Sequence, residues 1–183
     1  MEQAQVLTFL NNKDRDLLLQ FCGYSTTEPL HSFGPAVRPH YIIHFILNGK
    51  GIFQIREKTY HLETGQGFLI EPDELTFYQS DSQEPWEYLW IGFNGKMIPE
   101  FLKQIGLSSA HPIFHCDKKK ELYWLVNDML VHSKSNFSSD LRRTGLLYEF
   151  LSILALNPLE SDQQVDSEYM YINQAIEYIK NNY

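Results

Sequence analysis

Trp86, Tyr88 and Trp90 occupy alternate positions in the run Pro85-Trp86-Glu87-Tyr88-Leu89-Trp90-Ile91-Gly92-Phe93. In a strand, that spacing puts the three rings on one face and Leu89, Ile91 and Phe93 on the other. Rings carrying one hydroxyl and two indole N–H groups suit a half-polar cavity, covering the CH faces of a sugar while their polar tips bond its hydroxyls. An ordinary barrel core contains the same residue types, and alternation leaves both readings open. Arg38 precedes Pro39, which biases its backbone to extended, and its guanidinium can offer a ligand a fork of donors or form a surface ion pair. His44 interrupts the apolar stretch Tyr41–Leu47 and shares a face with Ile42 and Ile46, as either a core histidine or an inward-facing contact.

Other chemistry finds little support. Cys22 and Cys116 lie far apart, match no metal or redox spacing and fit a reducing cytoplasm. No Ser-His-Asp or Cys-His order is present, and Cys22 has no activating neighbour in sequence. Glu71, Asp73 and Glu74 crowd a turn, where carboxylates are solvated. Gly65-Gln66-Gly67 reads as a hairpin turn, because no strand before it and helix after it make a phosphate loop. The expectation is therefore a protein with no catalytic residue, metal or cofactor.

The elements that must position these side chains are strands. From Tyr41 to Phe93, short runs rich in Ile, Phe, Tyr and Trp are cut by Asn48-Gly49, Gly65-Gln66-Gly67, Pro72-Asp73 and Asp81-Ser82. Strands are expected at about 41–47, 51–57, 59–62, 67–71, 75–79 and 86–93, with a tight hairpin at Arg56–Thr59. Leu17–Gly23 is a further candidate, and Tyr24–Pro39 reads as irregular chain. Such a meander closes into a small barrel or sandwich. Beyond Gly95 the pattern turns helical. Lys96–Ile105 ends at Gly106, with Pro99 in its first turn. Asp117 reads as an N-cap for a helix carrying Leu122, Leu125, Val126, Met129 and Leu130. A second helix starts near Ser138–Ser139, carries Leu141, Leu147, Tyr148, Leu151, Leu154 and Ala155, and stops at Asn157-Pro158. Residues 159–168 are polar and acidic like a linker, and Tyr171–Lys180 opens another amphipathic helix. The expectation is a chain cut just inside a second domain.

The 183 residues are enough for one domain that buries roughly 70% of its unfolded surface. Net charge is −8, from 15 basic and 23 acidic side chains, which argues against nucleic-acid binding by this stretch alone. The only dense basic run, Lys118-Lys119-Lys120, sits between Asp117 and Glu121. No signal peptide and no run of ~20 apolar residues is seen, so a cytoplasmic protein with no membrane association is expected.

One ordered series stands out: Arg38-Pro39, Tyr41-Ile42-Ile43-His44, Gly49-Lys50-Gly51, Leu62, Gly65-Gln66-Gly67, Phe68-Leu69-Ile70, Pro72, Tyr78, Asp81, Pro85-Trp86, Tyr88 and Trp90-Ile91-Gly92-Phe93. It resembles the N-terminal effector-binding domain of AraC-family transcription regulators, specifically the branch that responds to sugars and oligosaccharides. The resemblance is strong over 38–95 and looser over 117–156. It implies an α+β fold: a cupin-like antiparallel β-barrel of jelly-roll type over 1–95, with an N-terminal arm, followed by a helical hairpin in 96–157. It further implies a linker at 158–170, the first helix of a DNA-binding domain at 171–183, and a homodimer through helices 117–156. DNA would be bound by helix-turn-helix units outside this chain. The partner implied is a small-molecule effector, a sugar or oligosaccharide, in a cavity lined by Tyr78, Tyr88 and Trp90 with Arg38 near the mouth, and alternation adds His44 and Trp86 as candidate contacts. The expected role is a regulator, in the activating sense, of carbohydrate-utilisation genes.

The alternative is a cupin-type enzyme acting on a sugar or small acid. Metal cupins need three or four converging donors. His40 and His44 form no H-x-H pair with a following Glu, Leu75-Thr76-Phe77 stands where a further His is needed, and His61 is alone.

Overall fold

Alternating branched and aromatic residues make this chain's sheets two-sided, so each sheet must bury one face against the other sheet and one against helices or solvent. The computed structural model describes residues 3–8 and 15–156. Its elements run β1 (Gln3–Thr8), β2 (Leu18–Thr26), β3 (Ser32–Val37), β4 (Tyr41–Asn48), β5 (Lys50–Ile55), β6 (Lys58–Glu63), β7 (Gln66–Ile70), β8 (Leu75–Ser80), β9 (Glu87–Asn94), α1 (Ile98–Ile105), β10 (Ile113–His115), α2 (Lys119–Val131) and α3 (Phe137–Ala155). The strands form two antiparallel sheets, ordered β1-β2-β9-β4-β7-β10 and β3-β8-β5-β6. This is the expected α+β architecture, a cupin-like jelly roll followed by helices, hydrogen-bonded as two separate sheets.

Between the sheets lies one core, with Ile42, Ile46, Phe68, Tyr88 and Trp90 from the larger sheet and Phe53, Ile55, Leu62 and Tyr78 from the smaller. The outer face of the larger sheet supplies Ile43, Phe45, Leu69, Leu89, Ile91 and Phe93 to a second core, completed by Leu102, Leu122, Val126, Met129, Leu147 and Phe150 of the three helices. Burial of each such side chain contributes about 1.5–3 kcal/mol. The alternation read from residues 86–93 is therefore physically the division between these two cores.

Several boundaries differ from the sequence expectation. Residues 24–39 are not irregular throughout: β2 runs on to Thr26, and Ser32–Val37 is an edge strand on β8. Pro35 hid it, since proline lacks an amide donor; it falls between Phe33 and Ala36, where the register with β8 shifts. Strand β1 is also new, pairing Gln3–Thr8 with Thr26–Phe21. Gln66 and Gly67 belong to β7, leaving the turn at Thr64–Gly65.

The helix starts shift too. α1 begins at Ile98 rather than Lys96, and it ends as expected at Gly106, whose positive φ of 85° directs its N–H to the carbonyls of Leu102 and Lys103. Asp117 does not cap α2; Lys118 holds the cap position and makes no side-chain cap bond. α3 starts at Phe137, because Asn136 Oδ1 accepts from the Ser139 amide at 2.8 Å. Buried Arg143 fastens the α2–α3 connection by donating from Nη1 to the carbonyls of His132 and Lys134, at 2.5 and 3.0 Å. The linker at 158–170 and the helix expected from Tyr171 lie outside the described residues.

Candidate functional site

Cross-strand register assembles the site row by row on the inner face of the larger sheet. One row runs Gly23, Trp90, His44 and Phe68, from β2 through β9 and β4 to β7. The row on one side sets Ser25, Tyr88 and Ile46 together, and the row on the other sets Thr8, Phe21, Gly92, Ile42 and Ile70. The facing wall comes from the smaller sheet, where Phe33 of β3 pairs with Tyr78 of β8 and stacks on it at 5.8 Å.

These walls enclose a cavity of about 420 Å³ lined by Val6, Thr8, Phe21, His31, Phe33, Arg38, Ile42, His44, Tyr78, Tyr88 and Trp90. Its volume falls in the range of small-molecule sites. Of the six residues singled out from sequence, Arg38, His44, Tyr78, Tyr88 and Trp90 line it together. Trp86 does not. It sits deeper, 1% exposed, in edge contact with Tyr88 at 5.8 Å. Gly51 admits it, because a Cβ at Gly51 would come within 2.4 Å of the indole.

Arg38 lies in the β3–β4 connection with its guanidinium carbon 3.8 Å from the Phe33 ring centroid, a cation–π contact. Its carbonyl accepts from the Asp73 amide at 2.9 Å, which fixes the connection. Among the described residues no carboxylate pairs with the guanidinium, and none lines the cavity.

His44 is 3% exposed and lies between Phe68, Tyr78 and Tyr88, at 4.6, 5.0 and 5.6 Å between ring centroids. Burial, reinforced by the Arg38 charge, holds its pKa down to about 3, so the imidazole is neutral at physiological pH. Its Nδ1 has no hydrogen-bond partner among the described residues. Besides His31, the cavity therefore presents aromatic faces, the Arg38 guanidinium and the neutral His44 imidazole.

Metal-type donors do not gather. Among the described residues no three His, Cys, Asp or Glu side chains converge. His40 Nδ1 lies 2.9 Å from Asn94 Nδ2, and His61 is exposed.

Sequence reasoning missed Phe21 and Phe33. Phe33 stood in the stretch read as irregular. Phe21 shares parity with Leu17 and Leu19 and so should face the helices, but the register between β2 and β9 shifts between Leu19 and Phe21. The one available signal was Gly92, since a glycine inside a strand marks close approach of another group.

The AraC-like ligand binding domain family matches residues 18–151. The chain belongs to that family. It is 35% identical over 176 residues to the Msm operon regulatory protein of Streptococcus mutans, covering 92% of this chain and 62% of that protein. It is 29% identical over 171 residues to the lactose operon transcription activator of Staphylococcus xylosus, covering 92% and 61%. It is 26% identical over 179 residues to the raffinose operon transcriptional regulatory protein of Pediococcus pentosaceus, covering 95% and 65%. This AraC-like domain thus spans less than two thirds of each of these relatives. A cupin 2 conserved barrel protein from Salinispora arenicola is similar at a TM-score of 0.42 and 14% identity, over 56% of this chain and 84% of that one. A cupin superfamily protein from Desulfitobacterium hafniense is similar at 0.40 and 10%, over 50% and 78%. No helix of the described residues is long and apolar enough to cross a membrane.

Proposed function

We propose that this chain is the effector-sensing and dimerisation part of a cytoplasmic transcription regulator of carbohydrate-utilisation genes, and not an enzyme. In this reading a sugar or oligosaccharide enters the cavity. Trp90, Tyr88 and Tyr78 cover its CH faces, and Arg38 and His44 bond its hydroxyls, with Trp86 supporting Tyr88 from behind. The observation that carries the reading is the convergence of those five lining residues on one cavity that holds a guanidinium and, among the described residues, no carboxylate. A sugar offers both the apolar faces and the hydroxyl acceptors such a lining demands. Two of the relatives, named for regulation of a lactose and of a raffinose operon, support the same ligand class.

In the same proposal residues 1–95 sense, 96–157 dimerise, 158–170 link, and 171–183 open the DNA-binding part. Exposed Trp124 and Val131 on α2, with Leu141 and Tyr148 on α3, support a helix-mediated homodimer. A ligand shifts the regulator only by binding one state better than the other, so occupancy must alter a contact the helices respond to.

The test is intrinsic tryptophan fluorescence titrated with mono- and oligosaccharides, since Trp90 lines the cavity and Trp86 adjoins it. Saturable change with at least one sugar is the expected result. A flat response across the panel, with calorimetry equally silent, removes the carbohydrate assignment.

A further inference from the structure

Phe21 reaches the cavity through a defect in strand pairing. β2 sets Leu19 opposite Phe93 and Phe21 opposite Gly92, so Gln20 is an extra residue in β2. Such a bulge exchanges the faces of the strand. Leu17 and Leu19 pack under the helices, Phe21 turns inward, and Cys22 returns to the helical side. The ring then lies across Gly92: a Cβ there would stand 2.1 Å from Phe21 Cζ and 2.4 Å from each Cε. Only glycine leaves the ring its seat. The same ring meets His40 edge-on at 5.7 Å, and His40 Nδ1 lies 2.9 Å from Asn94 Nδ2. Neither His40 nor Asn94 lines the cavity. Phe21 thus touches the cavity and, beside it, a polar pair that the cavity does not reach.

We propose that Phe21, seated on Gly92, is the end wall that limits the length of sugar the cavity accepts, screening the His40–Asn94 pair from the ligand. The inference rests on the carbohydrate reading of the site. A short ligand abuts the ring, whereas a longer one needs the space the ring fills and the polar groups beside it.

The test is calorimetric titration of lactose, a disaccharide, and raffinose, a trisaccharide, into the 183-residue chain and its Phe21→Ala, Gly92→Ala and doubly substituted forms. Circular dichroism and thermal unfolding establish that each is folded, and Phe21→Leu serves as the milder wall variant if Phe21→Ala is not. Phe21→Ala raises the ratio of raffinose to lactose affinity by roughly tenfold, the scale for adding or removing a small group in a pocket. Gly92→Ala drives the ring off its seat into the cavity and weakens the binding of both sugars by roughly tenfold. In the Phe21→Ala background the Gly92 substitution has no effect, because no ring remains to displace. An unchanged ratio in folded wall variants, or a Gly92→Ala effect independent of Phe21, overturns the inference while leaving the carbohydrate reading intact. If neither sugar binds the parent or any variant, this inference falls together with that reading for these sugars.

Discussion

The His44 imidazole lies nearly parallel to the Phe68 ring, 10° between planes and 4.6 Å between centroids, so a histidine occupies an aromatic position in the core. Protonation there would place a charge among rings and close enough to the Arg38 guanidinium to feel its repulsion.

That relationship sets a pH dependence. The pKa of His44 is held near 3 in the folded chain, against its ordinary 6.5. Between those values the unfolded state binds the additional proton, so stability is present above pH 6.5 and is lost as pH falls toward 3. Denaturant unfolding should show this group removing about 2 kcal/mol between pH 8 and pH 5. His44→Phe should flatten the dependence over that window. Parallel pH profiles for parent and variant would contradict the assignment.

Trp90 is 9% exposed and forms part of the cavity wall. Trp90→Ala should leave the circular dichroism spectrum intact and weaken binding of an identified sugar by roughly 1–3 kcal/mol. Equal affinity in calorimetry would remove the ring from the contact.

Asn136 alone supplies a side-chain cap to α3. Asn136→Ala leaves the Ser139 amide without that acceptor and should cost about 0.5–2 kcal/mol in urea unfolding, with Asn136→Ser recovering most of it. A loss equal in both variants would point away from capping.

Both thiols are buried. Desolvation raises Cys22 to about 12, against a smaller opposing effect of Arg143, and burial raises Cys116 as well. A disulfide-exchange reagent at pH 8 should therefore leave both unmodified in the folded chain and titrate both in urea. Rapid reaction of the folded protein would refute their burial.

Leu141 and Tyr148 lie on the exposed side of α3, at 57% and 44% exposure. Under the proposed homodimer, Leu141→Glu with Tyr148→Glu should yield a folded monomer in analytical ultracentrifugation. A variant that sediments as the parent does would move the interface elsewhere.

Much of the fold was legible in the sequence because burial imposes period. Short branched and aromatic runs mark β4 to β9, and alternation sets Tyr88 and Trp90 on one face; it leaves His44 open between core and cavity, and Tyr78 enters through the family resemblance. Residues whose orientation depends on a partner strand escaped. Pro35 concealed β3 and with it Phe33, because its place is tolerated only at a sheet edge with shifted register. Trp86 kept the parity of Tyr88 and Trp90, yet its depth beneath them follows from Gly51 on the opposite sheet.

By itself, then, the sequence determined the strand periodicity, the inward aromatic face and the family, since these rest on local alternation and on an ordered series of residues. Only the tertiary structure decided that Arg38 reaches the same cavity as Trp90, that Trp86 stays behind it, and that Phe21 turns inward. Each depends on register between strands distant in the chain, and one extra residue in a ladder reverses every face that follows.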